Sequence, residues 1–235
     1  MFIASMANAA GPLATQPAPT PPPALSLQPP PVLSVKKNAP PSELPFWRTK
    51  PDVRKRLMEN REVVVSVRNE DVTNVAGKKL IRFTIRGVGL VTRNKEVAFR
   101  IAQQYPKLKD VSSHFKTVNY DASKRELFLI CEALGFQARQ ILKMTPVEED
   151  WRSEIQWEVI WGAFLGMKGV LGFEKVSDTH TEVSIQTNYE AEKLPLPRVL
   201  MGFAFEVIAQ KVAERMRTHL ESMKDPVLPV QGSGF

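Results

Sequence analysis

Few residues in this 235-residue chain are suited to covalent or metal chemistry. The single cysteine, Cys131, follows the apolar run 127–130, where a buried structural thiol is expected rather than a nucleophile. One cysteine also excludes an internal disulfide and a cysteine-based zinc site. The three histidines, His114, His180 and His219, lie far apart and lack the spacing of metal ligands. We therefore expect no metal and no cofactor.

Acid–base catalysis would need a titratable side chain in the wall of a cavity. The candidates are Glu132, Arg139 and Tyr189, and the sequence leaves open which face of its strand each one occupies. The chain shows no nucleophile–base pair and no phosphate-binding glycine loop. The sequence therefore favours a non-catalytic protein, with an enzyme as the alternative.

The formal charge of +7 is concentrated in a short segment. Residues 46–61 hold six basic side chains against two acidic ones, and the chain after them is close to neutral. A near-neutral body argues against a nucleic-acid partner, which would need many clustered Lys and Arg. The basic segment is expected to be a solvated helix face, with contact to RNA or to an anionic membrane surface as the alternatives. The membrane contact would be made by Arg48, Lys50, Arg54, Lys55 and Arg56.

The first 45 residues cannot build a hydrophobic core. They contain 12 of the 19 prolines and three charged side chains, a composition typical of a disordered linker. The stretch 7–9 has the small-x-small form of a signal-peptide cleavage site, and a Pro-rich spacer after such a site is common in exported bacterial proteins. Because the positive n-region is missing, export to the periplasm is only slightly favoured over a cytoplasmic location. We expect a remnant signal peptide and linker at 1–45, a basic helical segment at 46–61, a ligand-binding domain at 62–223 and a disordered tail at 224–235.

The folded part is expected to end in one long helix, from about Leu196 to Met223. Apolar residues recur there at three- and four-residue steps, which places them on one face of a helix. The opposite face carries charged side chains, which excludes a transmembrane helix. The apolar face comprises Leu200, Phe203, Ala204, Val207, Ile208, Val212, Met216, Leu220 and Met223.

The chain before this helix has the pattern of an antiparallel sheet. Alternating runs separated by turn residues predict two strands at 62–68 and 79–92, then two short helices that begin near Asn94 and Leu108. Six more strands at 114–120, 125–131, 134–144, 151–161, 167–175 and 181–189 predict a meander. The stretch 145–150 is predicted to be a turn.

One face of the predicted sheet is apolar and aromatic, and the other is polar. A curved sheet that holds one long helix against its apolar face can enclose a cavity, although a filled core has the same pattern. Glycines at 162, 166, 169 and 172 favour the cavity, since missing side chains leave room. Its entrance is expected near 105–113 and at the turn 162–166. The lining is predicted to be Phe83, Phe136, Trp157, Val159, Trp161, Leu171, Phe173, Ile185, Tyr189, Phe203 and Val207.

The order of these elements, together with local motifs, resembles the START-like or Bet v 1-like (SRPBCC) superfamily, in particular its bacterial polyketide cyclase/lipid-transport and coenzyme-Q-binding branch. The motifs are Tyr105-Pro106 after a short helix, the glycine-containing hairpin 166–173, the strand start at Thr181 and the pair Pro195 and Pro197 before the last helix. The extra strand at 62–68 and the Pro-rich leader depart from the minimal family pattern.

This resemblance implies an α+β helix-grip fold, in which a curved antiparallel sheet wraps around a long C-terminal helix, with two short helices after the first core strand. It also implies binding, transport or sensing of a small hydrophobic ligand, such as a lipid, an isoprenoid or quinone, or a polyketide. Two alternatives stay open: a polyketide cyclase or aromatase, and a protein-interaction module with a filled core.

Overall fold

The computed structural model describes residues 45–195 and 200–225. The predicted linker and tail therefore lie almost entirely outside the described residues, as does the predicted start of the final helix at 196–199. The predicted export and disordered segments remain expectations.

Eight strands form one antiparallel sheet in the order β1-β2-β8-β7-β6-β5-β4-β3. Strands β3 to β8 are the predicted meander, and β2 pairs with β8 across the sheet. The strands are β1 Val64–Thr73, β2 Lys79–Val91, β3 Phe115–Asp121, β4 Glu126–Ala133, β5 Phe136–Glu148, β6 Arg152–Gly162, β7 Lys168–Lys175 and β8 Thr181–Ala191. The helices of the described ranges are α1 Phe46–Thr49, α2 Pro51–Glu59, α3 Lys95–Ala102, α4 Leu108–Val111, preceded by a 3₁₀ turn at Tyr105–Lys107, and α5 Phe205–Ser222.

This arrangement confirms the predicted α+β helix-grip fold. Strand β2 is followed by two short helices, the meander and the long C-terminal helix, in the expected order. A helix begins after Asn94 as predicted, and Asn94 is its N-cap, since its side chain accepts a hydrogen bond of 2.8 Å from the backbone N–H of Val97.

The predicted turn at 145–150 is wrong, because β5 continues through Pro146 to Glu148. Strand β5 pairs with β4 only as far as Lys143 and with β6 along its whole second half. Proline has no N–H and cannot donate a hydrogen bond to a neighbouring strand. Beyond Lys143, however, one side of β5 has no β4 residue to pair with, so no such bond is needed there. Pro146 is therefore tolerated inside the strand.

The final helix is less regular than its apolar pattern predicts. A π-helical segment, Leu200–Ala204, precedes α5, and Gly202 within it has non-helical angles of φ −94° and ψ −119°. This break changes the rotation of the helix, so that Phe205 packs edge-on against Phe83 of β2 at a ring-centroid distance of 5.8 Å. No helix in the described ranges is long and apolar enough to cross a membrane.

The main core lies between the concave face of the sheet, α3 and the last turns of α5. Phe99 of α3 stacks edge-on against Phe173 of β7 at a centroid distance of 5.6 Å, and both rings are fully buried. Leu220 of α5 is fully buried in the same cluster. These contacts fill one end of the concave face with side chains.

Helix α5 also covers the free edge of β1. The carboxylate of Glu206 accepts a hydrogen bond of 3.2 Å from the backbone N–H of Val67, and the amide of Gln210 donates one of 2.7 Å to the carbonyl of Val63. An uncovered edge strand invites pairing with another chain. The polar side of α5 therefore protects β1, the extra strand that is absent from the minimal family pattern.

The basic segment forms α1 and α2, which pack on the convex face of the sheet. Trp47 and Leu57 are buried there against Val88 and Leu90 of β2. Glu182 of β8 is 3% exposed and accepts hydrogen bonds from Trp47 Nε1 (3.0 Å), Arg48 (2.7 Å) and Arg54. A buried carboxylate with three donors anchors the helices to the sheet.

These contacts engage most of the positive charge of the segment. Arg48 bonds Glu174 and Glu182, Arg54 bonds Glu182, and Arg56 bonds Glu62. Lys55 lies 3.9 Å from Glu59, and Lys50 has no ion pair within the described ranges. The predicted membrane contact through these side chains therefore has few free charges to use, and it stays a prediction.

We expect Glu182→Gln to lower the free energy of unfolding by about 2 kcal/mol, because it leaves the buried Trp47 donor and the partly exposed arginines without their charged partner. The matched control is Glu190→Gln, whose exposed pair with Arg82 should contribute less than about 1 kcal/mol. Chemical denaturation of both variants measures the difference. Equal losses would contradict the anchoring role.

The same carboxylate should make stability depend on pH. Burial alone would raise the pKa of Glu182, but the hydrogen bonds from Arg48 and Arg54 outweigh it and hold the pKa below its ordinary value of 4.5. The stabilisation is therefore fully present above pH 4.5 and is lost as the pH falls through the folded-state pKa. Glu182→Gln should show a smaller loss of stability over that acidic range than the wild type.

Candidate functional site

The eleven residues predicted to line a cavity fall into four groups in the structure. Val159 and Phe173 are fully buried in the core beneath α3. Phe83 and Tyr189 belong to a second buried cluster near the start of α5. Three are half-buried in the middle of the concave face, namely Trp157, Leu171 and Ile185. Four are more than a third exposed, namely Phe136, Trp161, Phe203 and Val207.

The half-buried group is the candidate site, and with Ile85 of β2 we call it the central concave surface. The strand register brings these side chains together, since Leu171 pairs with Ile155 and Ile185, and Trp157 pairs with Gly169. Helix α5 lies mainly over β1 and β2 rather than over β6 and β7. An apolar surface in the centre of the sheet is therefore only partly covered by the protein itself.

The glycines do not leave room in the way that the sequence suggests. A Cβ on Gly169 would lie 2.1 Å from Cζ2 of Trp157, so the indole ring already fills the space over this glycine. A Cβ on Gly172 would contact Arg152 and Ser184, on the convex face. Because residues 169 and 172 are three apart in a strand, they point to opposite faces. The expectation of four glycines on one concave face is wrong.

The turn between β6 and β7 folds over one end of the concave face. Gly162 and Gly166 have φ of +94° and +86°, and Phe164 between them has φ of +62°. The ring of Phe164 is buried and packs edge-on against Tyr189 at a centroid distance of 5.6 Å. This turn was predicted to be an entrance, and Phe164 is the side chain that covers it.

Trp161 lies away from the central concave surface. The pairing of β5 with β6 shifts register between Ile141 and Leu142, so that Trp161 lies opposite Ile141 while Val159 lies opposite Leu142. Leu142 is buried in the concave core, and its neighbour Ile141 points to the other face. The bulge therefore moves Trp161 to the convex side, which simple alternation along β6 does not predict.

Phe203 and Val207 also differ from their predicted positions. Phe203 is 80% exposed and Val207 is 38% exposed, because the break at Gly202 rotates this side of the helix toward solvent. Phe205 takes the place against the sheet. Phe205 and Phe164 were not among the predicted lining residues, although the two glycines flanking Phe164 were a usable signal of a tight turn.

Two tyrosine hydroxyl groups in the main core cluster, against which Trp157 and Leu171 also pack, are buried without a hydrogen-bond partner in the described structure. They belong to Tyr105 and Tyr120, whose rings are tilted against each other at a centroid distance of 4.6 Å. Burial raises the pKa of both phenols. As neutral phenols, both can donate or accept a hydrogen bond.

The candidate catalytic residues are not brought together. Glu132 and Arg139 are exposed, and each lies next to a concave-face residue of its strand, which places both on the convex face. Tyr189 lies on the concave face, and burial raises the pKa of its phenol.

Burial also raises the pKa of Cys131 to about 11, which disfavours the thiolate. No cluster of three potential metal ligands occurs among the residues described.

Open grooves among the described residues include one of about 540 Å³ on the convex face and one of about 590 Å³ beside β1. The first is lined by polar side chains such as Arg86, Gln156 and Lys168, and also by Trp157 and Val170. The second is lined by Arg61, Glu206 and other polar residues, together with the valines at 63–65. Polar residues predominate in both linings, unlike the lining expected for a hydrophobic ligand.

No family model matches this chain, and no curated protein is significantly similar to it in sequence. Solved structures with a similar fold include a START superfamily protein from Mycobacterium smegmatis, with 14% identity, a TM-score of 0.48 and coverage of 58% of this chain and 96% of the other. A STAR-related lipid transfer protein from Xanthomonas axonopodis has 11% identity, a TM-score of 0.49 and coverage of 65% and 98%. A norcoclaurine synthase from Thalictrum has 11% identity, a TM-score of 0.45 and coverage of 60% and 95%.

These structures agree with the predicted resemblance to the START-like/Bet v 1-like superfamily at the level of fold. Because the TM-scores are below 0.5 and the identities are low, they carry no argument about function. The strand order and helix packing of the chain itself define the fold, and the concave face carries the apolar surface relevant to function.

We expect Tyr105→Phe to raise the free energy of unfolding of the ligand-free protein by about 1 kcal/mol, because it removes a buried hydroxyl group that has no partner. Tyr189→Phe is the control, since its hydroxyl group is not among the buried unpartnered atoms of the described chain. Thermal and urea denaturation measure both. A loss of more than about 1 kcal/mol in Tyr105→Phe would show instead that the hydroxyl group makes a stabilising hydrogen bond.

Proposed function

We propose that the protein binds a small hydrophobic ligand, without chemical conversion, between the central concave surface and α5. One observation carries the proposal: Ile85, Trp157, Leu171 and Ile185 form an apolar surface in the middle of the sheet that the helices leave partly exposed. Apolar side chains in the centre of a concave face are normally covered, because their burial drives folding. A ligand would complete this cover.

The helix supplies the opposite wall of the proposed site. Ile208 and Val212 are half-buried and follow Phe205 on α5 at helical spacing. Burial of apolar surface contributes roughly 25 cal/mol per Å², so a ligand that buries about 300 Å² would gain on the order of 7 kcal/mol before ordering costs. Such a site needs no charged group to bind its ligand.

The turn that carries Phe164 is the proposed entrance. Phe164 and Tyr189 close the end of the concave face at which α5 begins, while Phe99 and Phe173 fill the opposite end with core. A residue with positive φ in a turn flanked by two glycines can change conformation with a small movement of the backbone. Displacement of Phe164 would connect the central concave surface to solvent.

The ligand class that suits this lining is a lipid, an isoprenoid or quinone, or a polyketide. These molecules share an extended apolar body with few polar groups, and Tyr105 and Tyr120 could pair with a hydroxyl or carbonyl group. We place a carrier or sensor ahead of a cyclase, because Glu132 and Arg139 lie on the convex face, away from Tyr189.

Leu171→Trp tests the proposal by filling the space above the central concave surface. We expect it to weaken uptake of the apolar dye N-phenyl-1-naphthylamine by about tenfold or more, which corresponds to about 1.4 kcal/mol. The dye is titrated into delipidated protein and its fluorescence is recorded.

Val170→Trp is the matched control, since Val170 is also half-buried but points to the convex face from the same strand. It should bind the dye like the wild type. If the wild type does not take up the dye, or if both variants bind as well as the wild type, the concave face is not the ligand site.

A further inference from the structure

The exposed large apolar side chains of the described chain are unevenly distributed. Ten such residues are exposed, and eight belong to the end of the molecule at which the turn of Phe164 and the start of α5 lie. The two at the opposite end are Trp151 and Val176, in the β5–β6 and β7–β8 turns. We define the apolar rim as Leu134, Phe136, Trp161, Leu165 and Phe203.

The strand register and ring contacts place the rim residues around one end of the sheet. Gln140 of β5 pairs with Gly162 of β6, so the β4–β5 turn and the β6–β7 turn lie at the same end. Phe164 of the second turn contacts Tyr189, which pairs with Phe83, which in turn contacts Phe205 at the start of α5. The three elements that carry the rim therefore surround the proposed entrance.

The rim projects from the body of the protein. Strand β5 begins at Phe136, four residues before its first pairing with β6, so the β4–β5 hairpin extends beyond the end of β6 by about 13 Å at roughly 3.3 Å per residue. Leu165 at the tip of the next turn is 62% exposed. Apolar side chains on separate projections suit a fluid partner better than a single flat protein surface, because each tip can insert independently.

The charges beside the rim favour an anionic partner. Glu190 and Glu192 at this end are held in ion pairs with Arg82 and Lys78. Arg139 donates a hydrogen bond to Gln137 and, like the exposed Lys193, has no ion pair in the described chain. Lys79 and Lys116 are likewise exposed and without an ion pair at this end, whereas the exposed carboxylates without one in the described ranges are Glu70 and Glu132. Four such bases against two such acids leave this end slightly positive.

We propose that the apolar rim docks the protein on the surface of an anionic lipid bilayer. Exposed Trp161 is suited to the interface between headgroups and acyl chains, where tryptophan is enriched, while Leu134, Leu165 and Phe203 reach the acyl region. Arg139 and Lys193 meet the anionic headgroups. This surface differs from the basic face of α1 and α2, whose arginines are engaged with carboxylates of the protein itself.

Vesicle co-sedimentation tests the proposal with the full chain and vesicles of phosphatidylcholine and phosphatidylglycerol. We expect the wild type to bind, and Leu165→Glu and Phe203→Glu each to reduce the partition coefficient by about tenfold or more. The double variant Trp161→Glu/Leu165→Glu should lose binding. Both single substitutions are at exposed positions, so unchanged thermal unfolding is expected and is measured beside binding.

Trp151→Glu is the matched control, because Trp151 is as exposed as Trp161 (56% and 52%) but lies at the opposite end of the sheet. It should bind vesicles like the wild type. Lys50→Glu/Lys55→Glu tests docking through the basic helices and should also leave binding unchanged. Vesicles of phosphatidylcholine alone should bind more weakly.

Absence of wild-type binding overturns the proposal, as does a loss of binding in Trp151→Glu equal to that in Leu165→Glu. If Lys50→Glu/Lys55→Glu loses vesicle binding while the rim variants bind normally, the membrane contact belongs to the basic helices. That result also overturns the proposal. Dye uptake measured without vesicles reports on the central concave surface independently, so failure of membrane docking is distinguishable from failure of ligand binding.

Discussion

The structure depends on the need to cover the apolar concave face of one eight-stranded sheet. Alternation along most strands directs apolar side chains to this face, and the hydrophobic effect favours their removal from water. Helix α3 and the end of α5 cover one end, where Phe99, Phe173 and Leu220 are completely buried. The turn of Phe164 covers the other end. The centre, around Trp157 and Leu171, is half-covered, and this incomplete cover is the physical basis of the proposed ligand site.

A second constraint arises from the convex face, which in a sheet of this kind would normally be polar. Here Val88 and Leu90 make part of it apolar, and α1 and α2 cover that part with Trp47 and Leu57. Glu182 fixes the helices in place through hydrogen bonds to their basic side chains. The positive charge of this segment therefore serves mainly to hold the fold together. The apolar rim at the end of the sheet is a separate surface with different chemistry.

Much of the fold could be predicted from the sequence, because strand alternation and turn residues are local signals. All eight strands were anticipated, with the same order along the chain, and so was the α+β architecture. The failures arose where a local rule was broken by a long-range contact or a single backbone irregularity. Pro146 lies in a strand because the pairing of β5 with β4 stops at Lys143. The bulge beside Ile141 moves Trp161 to the convex face.

The candidate site was harder to predict than the fold. The sequence shows which residues are apolar, but it does not show which of them the protein covers with its own side chains. Val159 and Phe173 proved to be filled core, whereas Leu171 and Ile185 on the same face are only partly buried. Because the helix is broken at Gly202, Phe205 packs against the sheet in the position predicted for Phe203. The pairing of Glu182 with Arg48 spans 134 residues and has no local signature.

The most direct test of the account is native mass spectrometry of the purified full chain, with organic extraction of the same sample. If the central concave surface binds a hydrophobic ligand, the spectrum should show one bound molecule per chain. Extraction should return a lipid-like, quinone-like or polyketide-like compound, or delipidated protein should take up one such molecule when mixed with a lipid extract. A spectrum of the bare chain alone, before and after mixing with the lipids, would contradict the account and show that the partly exposed concave face is not a ligand site.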